Sequence, residues 1–133
     1  MIYLVSAQKE LFNSTEYKII NVEESLQLLK GCKILQFDSE TSCKNPHLGK
    51  ILCIQMGSKK QDNQLVIDCT TINILYYKDI LESTLIVGHN LKFDLQWLYN
   101  HAIIPRNVYD TMIVEQLLYM GYPRIPITPE RYK

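Results

Sequence analysis

The chain is poor in the features that mark a special environment. It has no surplus of either charge, since fourteen Lys and Arg stand against fourteen Asp and Glu. Proteins that coat nucleic acid through its phosphates carry a basic excess. The balance therefore argues against strong non-specific binding and leaves room for an enzyme that holds a strand end by other means. No apolar run is long enough to span a bilayer. The first residues, MIYLVSAQKE, lack the charged start and small-residue cleavage site of a secretion signal. A cytoplasmic protein with no membrane partner is expected. The cysteines, Cys32, Cys43, Cys53 and Cys69, form no C-x-x-C pair and no zinc knuckle, so they read as reduced core or loop residues. Repeats and low-complexity tracts are absent as well.

What is present is an ordinary globular composition, 47% apolar and 21% charged, at a length that supports one domain around one core. Ile2 to Val5 and Tyr17 to Ile20 are short β-type runs. Asn21, with Glu24 three residues on, predicts a capped helix that Gly31 ends. KILQFD (33–38), ILCIQMG (51–57) and QLVID (64–68) predict three strands close enough to form an antiparallel meander, with SKKQDN as a turn. Thr71 to Leu81 reads as a helix capped by Thr70 or Thr71. LIVG (85–88) is a short apolar strand that returns parallel after a helix. Leu91 to His101 is an amphipathic helix with Leu91, Leu95 and Leu98 on one face, and Asp110 caps a last helix bearing Met112, Ile113, Leu117 and Leu118.

Chemistry concentrates in FDSET, residues 37–41. Asp38 and Glu40 lie two apart at the end of a strand, which places them on one face. Two such carboxylates repel unless a cation lies between them, and a hard divalent ion takes oxygen ligands while keeping water positions open. A D-x-E pair alone is common by chance. Here it emerges from an apolar strand, where α/β folds place their chemistry. The second segment is VGHNLKFDLQWL, residues 87–98. Asn90 is placed to cap the helix, and Asp94 lies in its first turns, where an acid is also favourable for purely structural reasons.

Together, DSET and HNLKFD resemble the first two motifs of the DEDD exonucleases, and most of all the proofreading domains of family A DNA polymerases. ILCIQMG, VIDCT and VYDTMIVEQLLYMG resemble further strands and a helix of that family, so the likeness covers roughly residues 17–122. The resemblance implies a ribonuclease H-like α/β fold: three antiparallel strands, then a parallel one, flanked by helices and incomplete at the C-terminus. It implies 3'-5' hydrolysis of phosphodiester bonds at a DNA 3' end by two Mg²⁺ or Mn²⁺ ions. Asp38, Glu40 and Asp94 would be the metal ligands, while Thr41, Asn90 and Phe93 would contact the terminal nucleotide. Asp110 matches a helix-capping aspartate.

Two departures stand out. The family's fourth carboxylate follows a tyrosine by four residues, and no tyrosine after residue 110 has an aspartate at that distance. After the glutamate, where the family has Thr-Gly-Leu, this chain has Ser42, Cys43 and Lys44. That leaves Leu48 to wedge against a base, or Lys44 to meet a phosphate. Residues 1–122 are expected to form the exonuclease-like portion. Residues 123–133 form a tail or, from Thr128 and Pro129, the start of a cut-off helix. The expected partners are a single-stranded DNA 3' end (or RNA) and a polymerase domain or completing C-terminal segment. A second copy meeting an exposed sheet surface is also expected. The competing readings are a ribonuclease D-like RNA-processing exonuclease, a non-catalytic strand-end-binding remnant, and a generic α/β domain with coincidental acids.

Overall fold

The computed structural model describes residues 1–8, 10, 15–58 and 62–120. The 123–133 tail or helix start, and residues 59–61 of the SKKQDN turn, lie outside the described residues. In order, the elements are β1 (Ile2–Val5), β2 (Tyr17–Ile20), α1 (Val22–Leu29), β3 (Ile34–Thr41), β4 (Ile51–Ser58), β5 (Asn63–Asp68), a 3-10 turn (Ile74–Tyr77), α2 (Lys78–Ser83), β6 (Leu85–Gly88), α3 (Leu91–Asn100), β7 (Asn107–Asp110) and α4 (Thr111–Leu118).

Among the described residues the strands form one sheet in the order β2-β1-β5-β4-β3-β6-β7. The β3-β4-β5 meander is antiparallel, and β6 joins β3 in parallel, as the spacing predicted. The edges extend further than expected. β1 and β2 add in parallel beside β5. β7, a strand not anticipated, runs parallel to β6 from Asn107 to Asp110. The sheet thus gains a strand after LIVG, the last strand expected from the sequence.

Alternation decides which face is core. On β3, Leu35, Phe37 and Ser39 are buried while Gln36, Asp38 and Glu40 are exposed, so KILQFD is buried on one face only. Leu35, Phe37, Ile54, Met56, Leu65 and Ile67 join Leu81, Leu91, Trp97 and Leu98 in a single core. Helix α1 carries the expected capping box, with Asn21 and Glu24 bonded to each other's backbone N–H. It is pinned by the Ser25 hydroxyl 2.7 Å from the Tyr77 hydroxyl.

The helix predicted over 71–81 begins later. Asn73, not Thr70 or Thr71, caps a 3-10 turn through Leu75 N, and the α-helix starts at Lys78. Both threonines are held elsewhere. Thr70 and Thr71 donate to Asp68, as does Ser6 at the end of β1. Burial alone would raise the Asp68 pKa, but the hydroxyls of Thr70, Ser6 and Thr71 outweigh it and hold the carboxyl below its ordinary value.

Candidate active site

The end of β3 and the start of α3 meet across the core edge. Gly88, the last residue of β6, makes the meeting possible. A Cβ there would lie 2.5 Å from Leu91 Cδ2 and 2.7 Å from the Phe37 carbonyl oxygen, so only a glycine lets the chain turn so closely under β3. Asn90 sits at the helix N-cap position with a left-handed φ of 59° and makes no side-chain capping bond. The expected cap is therefore not formed. Instead the Asn90 backbone N–H donates to Asp110 Oδ1 at 3.0 Å, and the same oxygen accepts from Met112 N–H at 2.9 Å. Asp110 thus caps α4, as expected, and also fixes the bend into α3. Burial would raise its pKa, yet donation from the backbone N–H groups of Met112, Asn90, Ile113 and Leu91 lowers it.

Asp94, in the first turn of α3, is only 4% exposed. Ser39, the buried residue between the two β3 acids, donates its hydroxyl to Asp94 Oδ1 at 2.5 Å. Burial raises the Asp94 pKa first, the Ser39 bond opposes this, and the nearby charge of Asp38 raises it again. Asp94 and Asp38 are therefore close enough to sense each other's charge, although they lie on different elements.

Asp38 and Glu40 both project from the exposed face of β3, opposite Gln55 and Cys53 of β4 respectively. Burial pushes the Cys53 thiol up, and the Glu40 charge pushes it further. The register shifts between Glu40 and Thr41, leaving Leu52 as an extra residue, a bulge of the sort that re-aims strand ends beside sites. Asp38 also borders an open cleft of about 350 Å³, with Gln36, Gln55, Gln64 and His89 around it.

The remaining predicted residues occupy varied settings. Thr41 donates its hydroxyl to the Cys43 carbonyl at 2.9 Å, closing the start of the following loop. Phe93 is half-buried, its ring centroid 6.4 Å from that of Trp97. Asn90 is exposed, with its side chain uncommitted to the helix.

As for a metal, the oxygen donors of Asp38 and Asp94 suit a hard divalent cation, which would relieve the repulsion between them. Among the described residues no group of three or more His, Cys, Asp or Glu side chains is gathered so as to hold an ion.

A family model for 3'-5' exonuclease, of the DNA polymerase A type, matches residues 14–123. The chain belongs to this 3'-5' exonuclease family. It is also 36% identical over 104 residues to DNA polymerase I of Aquifex aeolicus, a match that spans 77% of this chain and 17% of that polymerase. Solved structures show the same fold. The catalytic core of RRP6 from Trypanosoma brucei superposes with a TM-score of 0.69 at 18% identity, over 92% of this chain and 32% of that one. Brucella melitensis NrnC with bound Mg²⁺ does so at 0.59 and 19% identity, over 93% and 55%. The ribonuclease H-like α/β architecture is thereby established, and the family is one that works with divalent metal ions. The sequence alone did not point to Ser39 as the partner of Asp94, or to His89, which lines the same open cleft as Asp38. The His89 ring Nδ1 lies 3.0 Å from the Thr111 hydroxyl. The signal for Ser39 was its place between two acids on an alternating strand, which forces it toward the helix side.

Proposed function

We propose that this chain forms the core of a 3'-5' exonuclease that hydrolyses phosphodiester bonds at the 3' end of DNA, as the proofreading part of a DNA polymerase. One observation carries the reading. Two segments more than fifty residues apart bring Asp94 against the Asp-Ser-Glu end of β3, joined by the Ser39 hydroxyl. Asp38, Glu40 and Asp94 are assigned as ligands of two Mg²⁺ or Mn²⁺ ions. Ions so bound supply an activated water and neutralise charge on the leaving oxygen. The protein's own work is positional. The rigid end of β3 holds Asp38 and Glu40, and Ser39 orients the Asp94 carboxylate. Phe93, Asn90 and Thr41 are assigned to the terminal nucleotide, with Phe93 offering an aromatic edge on which a frayed base can stack.

A second reading, a strand-end-binding module without catalysis, is favoured by the absence of a three-ligand cluster among the described residues. A 5'-labelled single strand of DNA, incubated with the chain and Mg²⁺ or Mn²⁺, separates the two. The exonuclease reading expects slow shortening from the 3' end, abolished by Asp38→Asn. Binding of the strand end with no shortening favours the non-catalytic module. Shortening confined to an RNA strand of the same sequence would move the assignment to RNA processing.

A further inference from the structure

Asp38 has a neighbour on the exposed face of the sheet that the carboxylate reading does not use. The β3–β6 register pairs Gln36 with Val87, and two residues further along it brings Asp38 level with His89. The two chains stay close there, since a Cβ on Gly88 would lie 2.7 Å from the Phe37 carbonyl oxygen. On the other side of β6, Gly88 pairs with Asp110, and the next step brings His89 level with Thr111. From β4, Gln55 lies opposite Asp38. Gln55, Asp38, His89 and Thr111 thus follow one another across the sheet, and all four line the open cleft of about 350 Å³. Asp38 is the one carboxylate in that lining, and no Lys or Arg among the described residues shares it.

Thr111 decides which nitrogen of the imidazole is free. Its hydroxyl donates to the Gly88 carbonyl at 3.1 Å. A hydroxyl has one proton to give, so toward His89 Nδ1, 3.0 Å away, the same oxygen can only accept. Nδ1 therefore carries the ring proton, and neutral His89 presents Nε2 as a bare lone pair. Nε2 has no hydrogen-bond partner among the described residues. Metal-binding histidines are oriented in this way, with one ring N–H anchored on an oxygen and the other nitrogen left to the ion. His89 and Asp38 make no ion pair with each other; among the described residues that contact is formed by Lys78 and Glu82. The donor type matters. Mg²⁺ takes oxygen ligands, whereas imidazole nitrogen suits first-row transition ions. Asp38, Glu40 and Asp94 offer oxygen alone, so a nitrogen beside Asp38 changes which ion the site prefers.

We propose that His89 Nε2 is a metal ligand beside Asp38, that it biases the site toward Mn²⁺ over Mg²⁺, and that Thr111 is the positioning residue for its ring. The proposal rests on the reading of Asp38 as a cation ligand. With no group of three His, Cys, Asp or Glu side chains gathered among the described residues, water completes the shell of the ion. Calorimetric titration of the 133-residue chain with Mn²⁺ and with Mg²⁺, beside pulsed electron paramagnetic resonance of the bound Mn²⁺, tests it without turnover. The wild type should hold Mn²⁺ more tightly than Mg²⁺, and its spin echo should carry the modulation of a directly bound imidazole nitrogen. His89→Ala should abolish that modulation and weaken Mn²⁺ about tenfold, with Mg²⁺ affinity unchanged. Thr111→Val should weaken Mn²⁺ in the same direction; an unchanged affinity overturns its positioning role. Both side chains are exposed, so unchanged circular dichroism is expected. Mn²⁺ bound without nitrogen modulation, or with modulation that survives His89→Ala, overturns the ligand and leaves the carboxylate site intact. Failure of the wild type to bind either ion removes the reading of Asp38 as a cation ligand, and this proposal with it.

Discussion

The Ser39–Asp94 contact gives the sharpest prediction. Ser39→Ala removes the hydroxyl that donates to Asp94 Oδ1 in a place where both side chains are buried, 8% and 4% exposed. A hydrogen bond to a charged acceptor contributes about 1.5–3 kcal/mol, and losing it leaves a buried carboxylate under-solvated. The expected loss at neutral pH is about 2 kcal/mol, or a melting temperature lower by about 6–10 °C for a chain of this size. The pH dependence follows from the sign of the Asp94 shift. Burial raises its folded pKa, so the folded state holds the proton more tightly than the unfolded chain. The penalty for the charged form is then absent below the ordinary carboxylate range. It grows as pH rises through that range to the raised value and is complete above it. Ser39→Ala should therefore cost most at neutral pH and about half as much once Asp94 is protonated. Urea unfolding of the wild type, Ser39→Ala, Asp94→Asn and the double variant, followed from neutral to acid pH, measures this. A coupling near 1 kcal/mol between the two positions is expected at neutral pH. A Ser39→Ala cost that is the same at every pH and in both backgrounds would refute the assigned bond.

Three further outcomes follow from the same geometry. Gly88→Ala should destabilise by about 1–3 kcal/mol, because the new methyl meets the Phe37 carbonyl and Leu91; a thermal melt that does not move would contradict the tight turn. Asp110→Ala should lower the melting temperature and speed amide exchange at Asn90 and Met112, which share its oxygen. Because its folded pKa is lowered, the wild-type advantage should hold above the ordinary carboxylate range and fade as pH falls through the depressed value. Helix α4 buries none of its residues and leaves Ile113, Leu117 and Leu118 exposed. Sedimentation velocity should therefore show a second copy associating as concentration rises; a monomer at every concentration would count against this.

Local signals in the sequence carried the reading a long way. The β3-β4-β5 meander and the capping box of α1 were legible because each depends on residues close in sequence, and the parallel return of β6 because a strand that follows a helix crossover has few other ways to rejoin a sheet. Asp38 and Glu40 were expected on one face of β3, and alternation with buried Leu35, Phe37 and Ser39 makes that face the exposed one. What was not legible is non-local. NVYD shows no period of its own and becomes a strand only by pairing with the edge of β6. Asn90 has the chemistry of a cap, but its left-handed backbone and the reach of Asp110 from twenty residues away displace that role. Thr70 and Thr71 resemble helix caps, but the Asp68 carboxylate competes for them and wins. The depth of Asp94 was likewise hidden, since an acid in a first turn is usually solvated, and only the fold reveals Ser39 beneath it.

The central claim is that Asp38, Glu40 and Asp94 serve a common divalent cation site. Calorimetric titration of Mn²⁺ into the chain, beside the Asp38→Asn, Glu40→Gln and Asp94→Asn variants, tests it without depending on turnover. Saturable binding by the wild type, lost in Asp38→Asn and weakened in the other two, is the predicted result. No binding by the wild type, or binding that all three variants retain in full, would contradict it.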